Sequence, residues 1–154
     1  MSSQGISAQE LAQKLIRHEP IFILDVRNKE AFADWRIEGK GVRVINHPYF
    51  ELLDGIEPIV NELPEDQEIV VVCAQEGSSQ FVADQIVEAG FANVFYLKDG
   101  MRSWSEHLEP VKVGELTGSG ALYQFVRLGK GCLSYAIVSD GEAVIVDPNR
   151  ITDV

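Results

Sequence analysis

Basic side chains are scarce in this sequence: 13 Lys and Arg stand against 24 Asp and Glu, giving a formal net charge of −11. Binding to nucleic acid or to an anionic membrane surface relies on neutralising phosphates with Lys and Arg, so neither partner is expected. Cysteine is scarcer still. Cys73 and Cys132 are too few for a disulfide framework, and they lack the CxxC spacing of a structural metal site. His18, His47 and His107 are scattered, with no HxH or HExxH pattern, and no metal site follows from them. They read as surface or helix-end residues. No apolar run is long enough to cross a bilayer, and the opening MSSQGISAQE lacks a basic stretch followed by an apolar one. A soluble, cytoplasmic protein is expected.

Apolar residues make up 45% of the 154 positions and charged residues 24%, enough to bury a core for one ordinary domain plus a modest extra element. Ser7 can cap a helix in which Leu11, Leu15 and Ile16 recur at helical spacing, ending near His18 before Pro20. Ile21 to Leu24 and then Val26, interrupted only by Asp25, suit a strand covered on both faces. Lys29 to Ile37 reads as a short helix or turn, and Val42 to Ile45 as a brief strand closing at His47-Pro48. Two short helical segments are expected between Tyr49 and Glu62.

The run EIVVV from Glu68 to Val72 is a second buried strand, and it leads directly into Cys73. A loop, Ala74 to Ser78, precedes a helix from Ser79 to Ala89 that Gly90 terminates. A strand over Asn93 to Leu97 leads to Asp99-Gly100 and a last helix holding Met101 and Trp104, both expected to face the core. Strands alternating with helices at these intervals predict an α/β fold with a parallel sheet flanked by helices. Beyond Pro110 the composition changes, and VKVGELTGSG reads as a linker. Ala121 to Val126, Cys132 to Val138 and Ala143 to Val146 follow as three strands of a short C-terminal β segment, with Cys132 expected to pack inside it. Residues 1–113 and 114–154 are therefore expected to form separate parts.

Cys73 sits where a strand meets a helix amino terminus, among backbone N–H groups without intrahelical partners. Such donors and the helix dipole stabilise a thiolate or a bound anion. Small residues at Ala74, Gly77, Ser78 and Ser79 let the loop amides turn inward as a nest. A strand-end cysteine is more often a small core residue, and the loop composition is what shifts the reading towards chemistry.

Asp25-Val26-Arg27 with Glu30 and Phe32, the strand and loop EIVVVCAQEGSS, and DGMRSW from Asp99 to Trp104 together resemble the rhodanese family over roughly Ile6 to Val113. The resemblance implies a sulfurtransferase. Cys73 would take sulfane sulfur from a small donor, hold it as a persulfide cradled by Ala74, Gln75, Glu76, Gly77 and Ser78, and pass it to a thiol or other nucleophile. No cofactor is implied. Asp25 and Arg27 match an acidic-x-basic pair near the family's site, where an ion pair holding neighbouring loops is at least as good a reading as a substrate role.

Three departures from the family stand out. Glu76 and Ser78 occupy positions where family loops often have a glycine and a basic residue, and Asp99 stands where many members have a first glycine. Lacking that cation and carrying the Glu76 carboxylate weakens attraction for dianionic thiosulfate, which favours a persulfide donor. The same two residues favour an alternative, a non-catalytic binding or regulatory module. A cysteine-dependent phosphatase would need an arginine six residues after the cysteine, and Ser79 is there instead.

Leu122 to Pro148 resembles the opening strands of a metallo-β-lactamase-fold domain of the kind fused to rhodanese modules in persulfide dioxygenases. The HxHxDH motif through which that fold binds metal is not in this sequence, so no metal site is assigned. A few strands without a covering layer are marginal alone. They are expected to pack on the first domain, to self-associate with another copy, or to remain mobile.

Overall fold

The structure, a computed structural model, describes residues 2–149, so Met1 and residues 150–154 of the two expected parts lie outside the described residues. Chain contacts divide it into two compact units, one up to Trp104 and one from Ser105 onward.

The first unit is an α/β layer structure. Its strands are β1 (Gln4–Ile6), β2 (Ile21–Asp25), β3 (Val42–Asn46), β4 (Glu68–Val72) and β5 (Val94–Leu97). All are parallel, in the order β1-β5-β4-β2-β3. Every residue of β2 is buried, as are Ile69 to Val72 of β4, which is why these strands read as continuous apolar runs. Each large side chain so buried contributes about 1.5–3 kcal/mol relative to exposure. On one face Phe22, Leu24, Ile69 and Val71 pack with Val82, Ala83 and Ile86 of a helix and with Leu52, Ile56 and Ile59. Alternate residues Ile21, Ile23, Val70 and Val72 point to the opposite face and are equally buried.

The helices are α1 (Ala8–Ile16), α2 (Lys29–Asp34), α3 (Gly77–Glu88) and α4 (Gly100–Glu106). Ser7 and Glu10 form a reciprocal capping box at the start of α1, and Leu11, Ala12 and Leu15 form its buried stripe. His18, at φ 58°, turns the chain in the left-handed region before Pro20. Tyr49–Leu52 and Val60–Glu62 are short 3-10 turns, as the sequence predicts. Met101 and Trp104 are buried. β1 went unpredicted: three residues carry too little pattern, and parallel pairing with Phe95 to Leu97 is what makes Gln4–Ile6 a strand.

The second unit is an antiparallel sheet of β6 (Glu109–Glu115), β7 (Ala121–Arg127), β8 (Cys132–Ser139) and β9 (Glu142–Val146), in that order. The expected linker is corrected here. Glu109 to Glu115 pair with Ala121 to Val126 around a bulge between Lys112 and Gly114, and only Leu116 to Gly120 turn. The glycines and charges that suggested a linker belong to an edge strand and its tight connection, where pairing overrides propensity. Cys132 is exposed, against the expectation that it packs inside, with its Sγ 3.6 Å from the Lys130 carbonyl oxygen. No helix among the described residues is long and apolar enough to cross a membrane.

Candidate active site

The register of the parallel sheet brings the candidate residues together. Asp25 lies opposite Val72, so the chain leaving β2 and the chain leaving β4 emerge side by side at the carboxyl edge. From β2 the chain next builds β3 on one side, and from β4 it next builds β5 on the other. The gap between the ends of β2 and β4 is therefore a switch point in the winding, the place where parallel α/β sheets hold ligands. Val26, Arg27, Cys73, Ala74 and Ser78 line a cavity there of about 370 Å³, together with Asn28, Ala31, Tyr49 and Phe50.

Cys73 is buried and unpaired at the floor of this cavity. Its thiol donates to the Ser79 hydroxyl, Sγ to Oγ 3.3 Å. Ser79, fully buried in the first turn of α3, donates its own hydroxyl proton to the Glu76 carbonyl at 2.7 Å. Among the described residues no side chain caps α3, so the partial positive charge of its first turn is not neutralised from within the helix. α3 begins at Gly77, two residues before the sequence suggested, and Gly77 and Ser78 thus belong to the helix rather than to the loop.

The loop is braced from beneath. The amides of Met101 and Arg102 at the start of α4 donate to the carbonyls of Cys73 and Ala74, at 2.8 and 3.3 Å. This approach requires Gly100. At φ +55° a Cβ there would stand 2.1 Å from the Gln75 carbonyl oxygen and 2.4 Å from that of Cys73.

Of the five expected cradle residues, Ala74 and Ser78 line the cavity; Gln75, Glu76 and Gly77 do not. Glu76 corrects an expectation. Its carboxylate accepts the Asp99 amide proton at 3.0 Å, fixing the turn before α4, so its charge is directed to that turn and not to the space above Cys73. Asp25 and Arg27 form an ion pair with two contacts from Nε, 3.0 and 3.1 Å, and one from Nη2 at 2.6 Å. Nη2 also donates to the Trp35 carbonyl, and Asn46 clamps the carbonyls of Asp25 and Arg27 at 2.8 and 2.9 Å. The pair holds the bend after β2 and presents Arg27 at the cavity wall.

Sequence reasoning missed Ser79 as a partner of the thiol and Tyr49 and Phe50 as walls. Ser79 was weighed as a small residue of the loop and as the place of a missing arginine six residues after Cys73, and its hydroxyl as a partner for the thiol was not. The aromatic pair follows the strand stop at His47-Pro48, where two adjacent exposed rings call for a reason. Among the described residues no group of three or more His, Cys, Asp or Glu side chains is placed to hold a metal.

A parallel sheet with a strand-end cysteine at its switch point matches a known family. The chain belongs to the rhodanese-like domain family, whose model matches residues 7–107. A thiosulfate sulfurtransferase GlpE from Glaesserella parasuis is 28% identical over 103 residues, covering 67% of this chain and 88% of the relative. Among solved structures, a rhodanese-like domain protein from Staphylococcus aureus superposes with a TM-score of 0.53 at 28% identity, covering 66% of this chain and 90% of that one. An NAD-dependent persulfide reductase from A. fulgidus is 36% identical with a TM-score of 0.50, covering 66% of this chain. The match spans only 16% of the reductase.

Proposed function

We propose that this protein is a sulfurtransferase that carries sulfane sulfur as a persulfide on Cys73. The observation that carries this reading is the position of Cys73, a free thiol at the floor of a cavity on the carboxyl edge of the sheet. The thiolate attacks the sulfane sulfur of a persulfide or thiosulfate donor, the donor's S–S bond breaks and its electron pair leaves on the thiolate R–S⁻ or on sulfite, and the new persulfide waits for a thiol or other nucleophile. The uncapped first turn of α3 supplies favourable charge for the sulfur anion at both stages. Family membership and the GlpE relative support the reading.

Mass spectrometry of the full chain after incubation with thiosulfate or a low-molecular-weight persulfide tests it. One added sulfur on Cys73, absent from a folded Cys73→Ser variant, is expected. Sulfur transfer at the wild-type rate by Cys73→Ser would sink the proposal. A second reading, a non-catalytic binding module, draws on one observation: Ser78, and no cation of the loop, lines the cavity. It requires ligand binding without sulfur on Cys73 in the same experiment.

For the second unit we propose that β7 to β9 correspond to the opening strands of a metallo-β-lactamase fold. The antiparallel meander over Ala121 to Val146 supports this. A coding sequence continuing past Val154 into an HxHxDH motif is the expected finding, and one that stops there would remove the basis for it.

A further inference from the structure

The walls above Cys73 are more apolar than an inorganic dianion needs. Five of the nine lining residues, Val26, Ala31, Tyr49, Phe50 and Ala74, are apolar or aromatic, and Arg27, the one cation among the described residues that line the cavity, is bound to the Asp25 carboxylate and the Trp35 carbonyl. The ion pair is neutral as a unit, and the protein around it carries a net charge of −11. Among the described residues that line this space, a dianion meets no unopposed positive side chain. Tyr49 and Phe50 stand at the cavity 41% and 55% exposed, ring centroids 6.1 Å apart and close to perpendicular. Tyr49 is held there by its amide, which donates to the Val26 carbonyl at 2.9 Å, so the pair is fixed to the bend after β2. Exposed aromatic rings beside a concave, reactive floor are the contact surface an apolar ligand requires.

We propose that the donor for this site is an organic persulfide with an apolar body, R–S–SH, and that Phe50 and Tyr49 set that preference by holding R while the terminal sulfur meets Cys73. The proposal rests on sulfur transfer through Cys73 and names the substrate class for it. The Cys73 thiolate forms a bond to the terminal sulfur, the S–S bond of the donor breaks, and its electron pair leaves on R–S⁻. Cys73 then carries –S–SH. Atoms and charge balance without an oxidant or reductant.

Two donors with the same reacting S–S bond separate the body from the chemistry: benzyl hydropersulfide and 2-hydroxyethyl hydropersulfide, each added to the full chain, with sulfur on Cys73 followed by intact-mass spectrometry. Wild type is expected to load from the benzyl donor about tenfold faster, the discrimination typical of a small apolar contact. Phe50→Ala should abolish most of that ratio, and Phe50→Leu, which keeps an apolar side chain, should retain a larger part of it. Phe81→Ala removes an exposed aromatic outside the cavity and should leave the ratio at its wild-type value. A ratio near one in wild type, or an unchanged ratio in Phe50→Ala, overturns the proposal while sulfur transfer stands. Absence of sulfur on Cys73 with both donors and with thiosulfate overturns the sulfur-transfer reading and this one with it.

Discussion

The Ser79 hydroxyl lies 3.3 Å from the Cys73 sulfur and 2.7 Å from the Glu76 carbonyl oxygen, so one buried group joins the reacting atom to the start of α3. In the thiol form Ser79 accepts from Sγ; in the thiolate form the same hydroxyl can turn its proton to the sulfur. Hydrogen bonds to charged groups are worth about 1.5–3 kcal/mol. Ser79→Ala is therefore expected to slow both sulfur loading and alkylation of Cys73 by roughly tenfold or more. Single-turnover mass spectrometry and iodoacetamide labelling, at one pH and on a variant shown to be folded, read the effect. Unchanged alkylation would leave Ser79 a packing residue only.

Gly100 allows α4 to approach the loop closely enough for its amides to hold the carbonyls of Cys73 and Ala74. Gly100→Ala puts a methyl group into two carbonyl oxygens at a position with φ +55°. Strain in the left-handed region alone costs about 1 kcal/mol, and the overlap adds to it. Urea unfolding is expected to show a loss of at least about 1 kcal/mol. Sulfur loading should fall as well, since the displaced atoms belong to Cys73 and Gln75.

Asp25 is fully buried and its partner Arg27 nearly so. Removing one member of such a pair leaves the other charge unpaired, at a cost of about 3 kcal/mol or more. Asp25→Ala should therefore lower stability by that order, measured by urea unfolding at neutral pH. Replacing both together, Asp25→Leu with Arg27→Met, should recover most of the loss, because no orphaned charge remains. A double variant no more stable than Asp25→Ala would show that other contacts of the pair dominate, such as that from Arg27 to the Trp35 carbonyl.

Much of the first unit was legible because burial on both faces leaves a plain trace. IFILD and EIVVV have no solvent-facing alternation to confuse with a helix, and Ser7, Pro20 and Gly90 punctuate the segments around them. Cys73 could be placed at the end of β4 from that trace alone. What surrounds it could not. Whether Glu76 faces the sulfur or the Asp99 amide depends on where α4 returns, a contact across 23 positions. Tyr49 and Phe50 reach the cavity only because β2 and β3 are neighbours in register, Asp25 opposite Asn46. β6 was unreadable for a related reason: Glu109 to Glu115 has no strand pattern until β7 pairs with it.

The capping box at α1 makes a pH-dependent contribution whose sign follows from its geometry. The Ser7 amide donates to the Glu10 carboxylate at 2.9 Å and its hydroxyl at 2.7 Å, and in that order they hold the Glu10 carboxyl below the ordinary glutamate range. A carboxyl whose folded pKa is depressed adds stability above its unfolded value, about 4.3, and loses it as pH falls through the lower folded value. The group is exposed, so the contribution is small and screened by salt. Ser7→Ala also frees the Glu10 amide from the Ser7 hydroxyl, 3.2 Å away, and is expected to cost about 1 kcal/mol at neutral pH. Glu10→Gln should flatten the acid side of the stability profile by removing, at neutral pH, the small contribution that wild type loses in acid. An NMR titration of the Glu10 side chain checks the cause directly. Its midpoint should lie below the ordinary range in wild type and move part of the way back in Ser7→Ala, where the amide donor remains but the hydroxyl is gone.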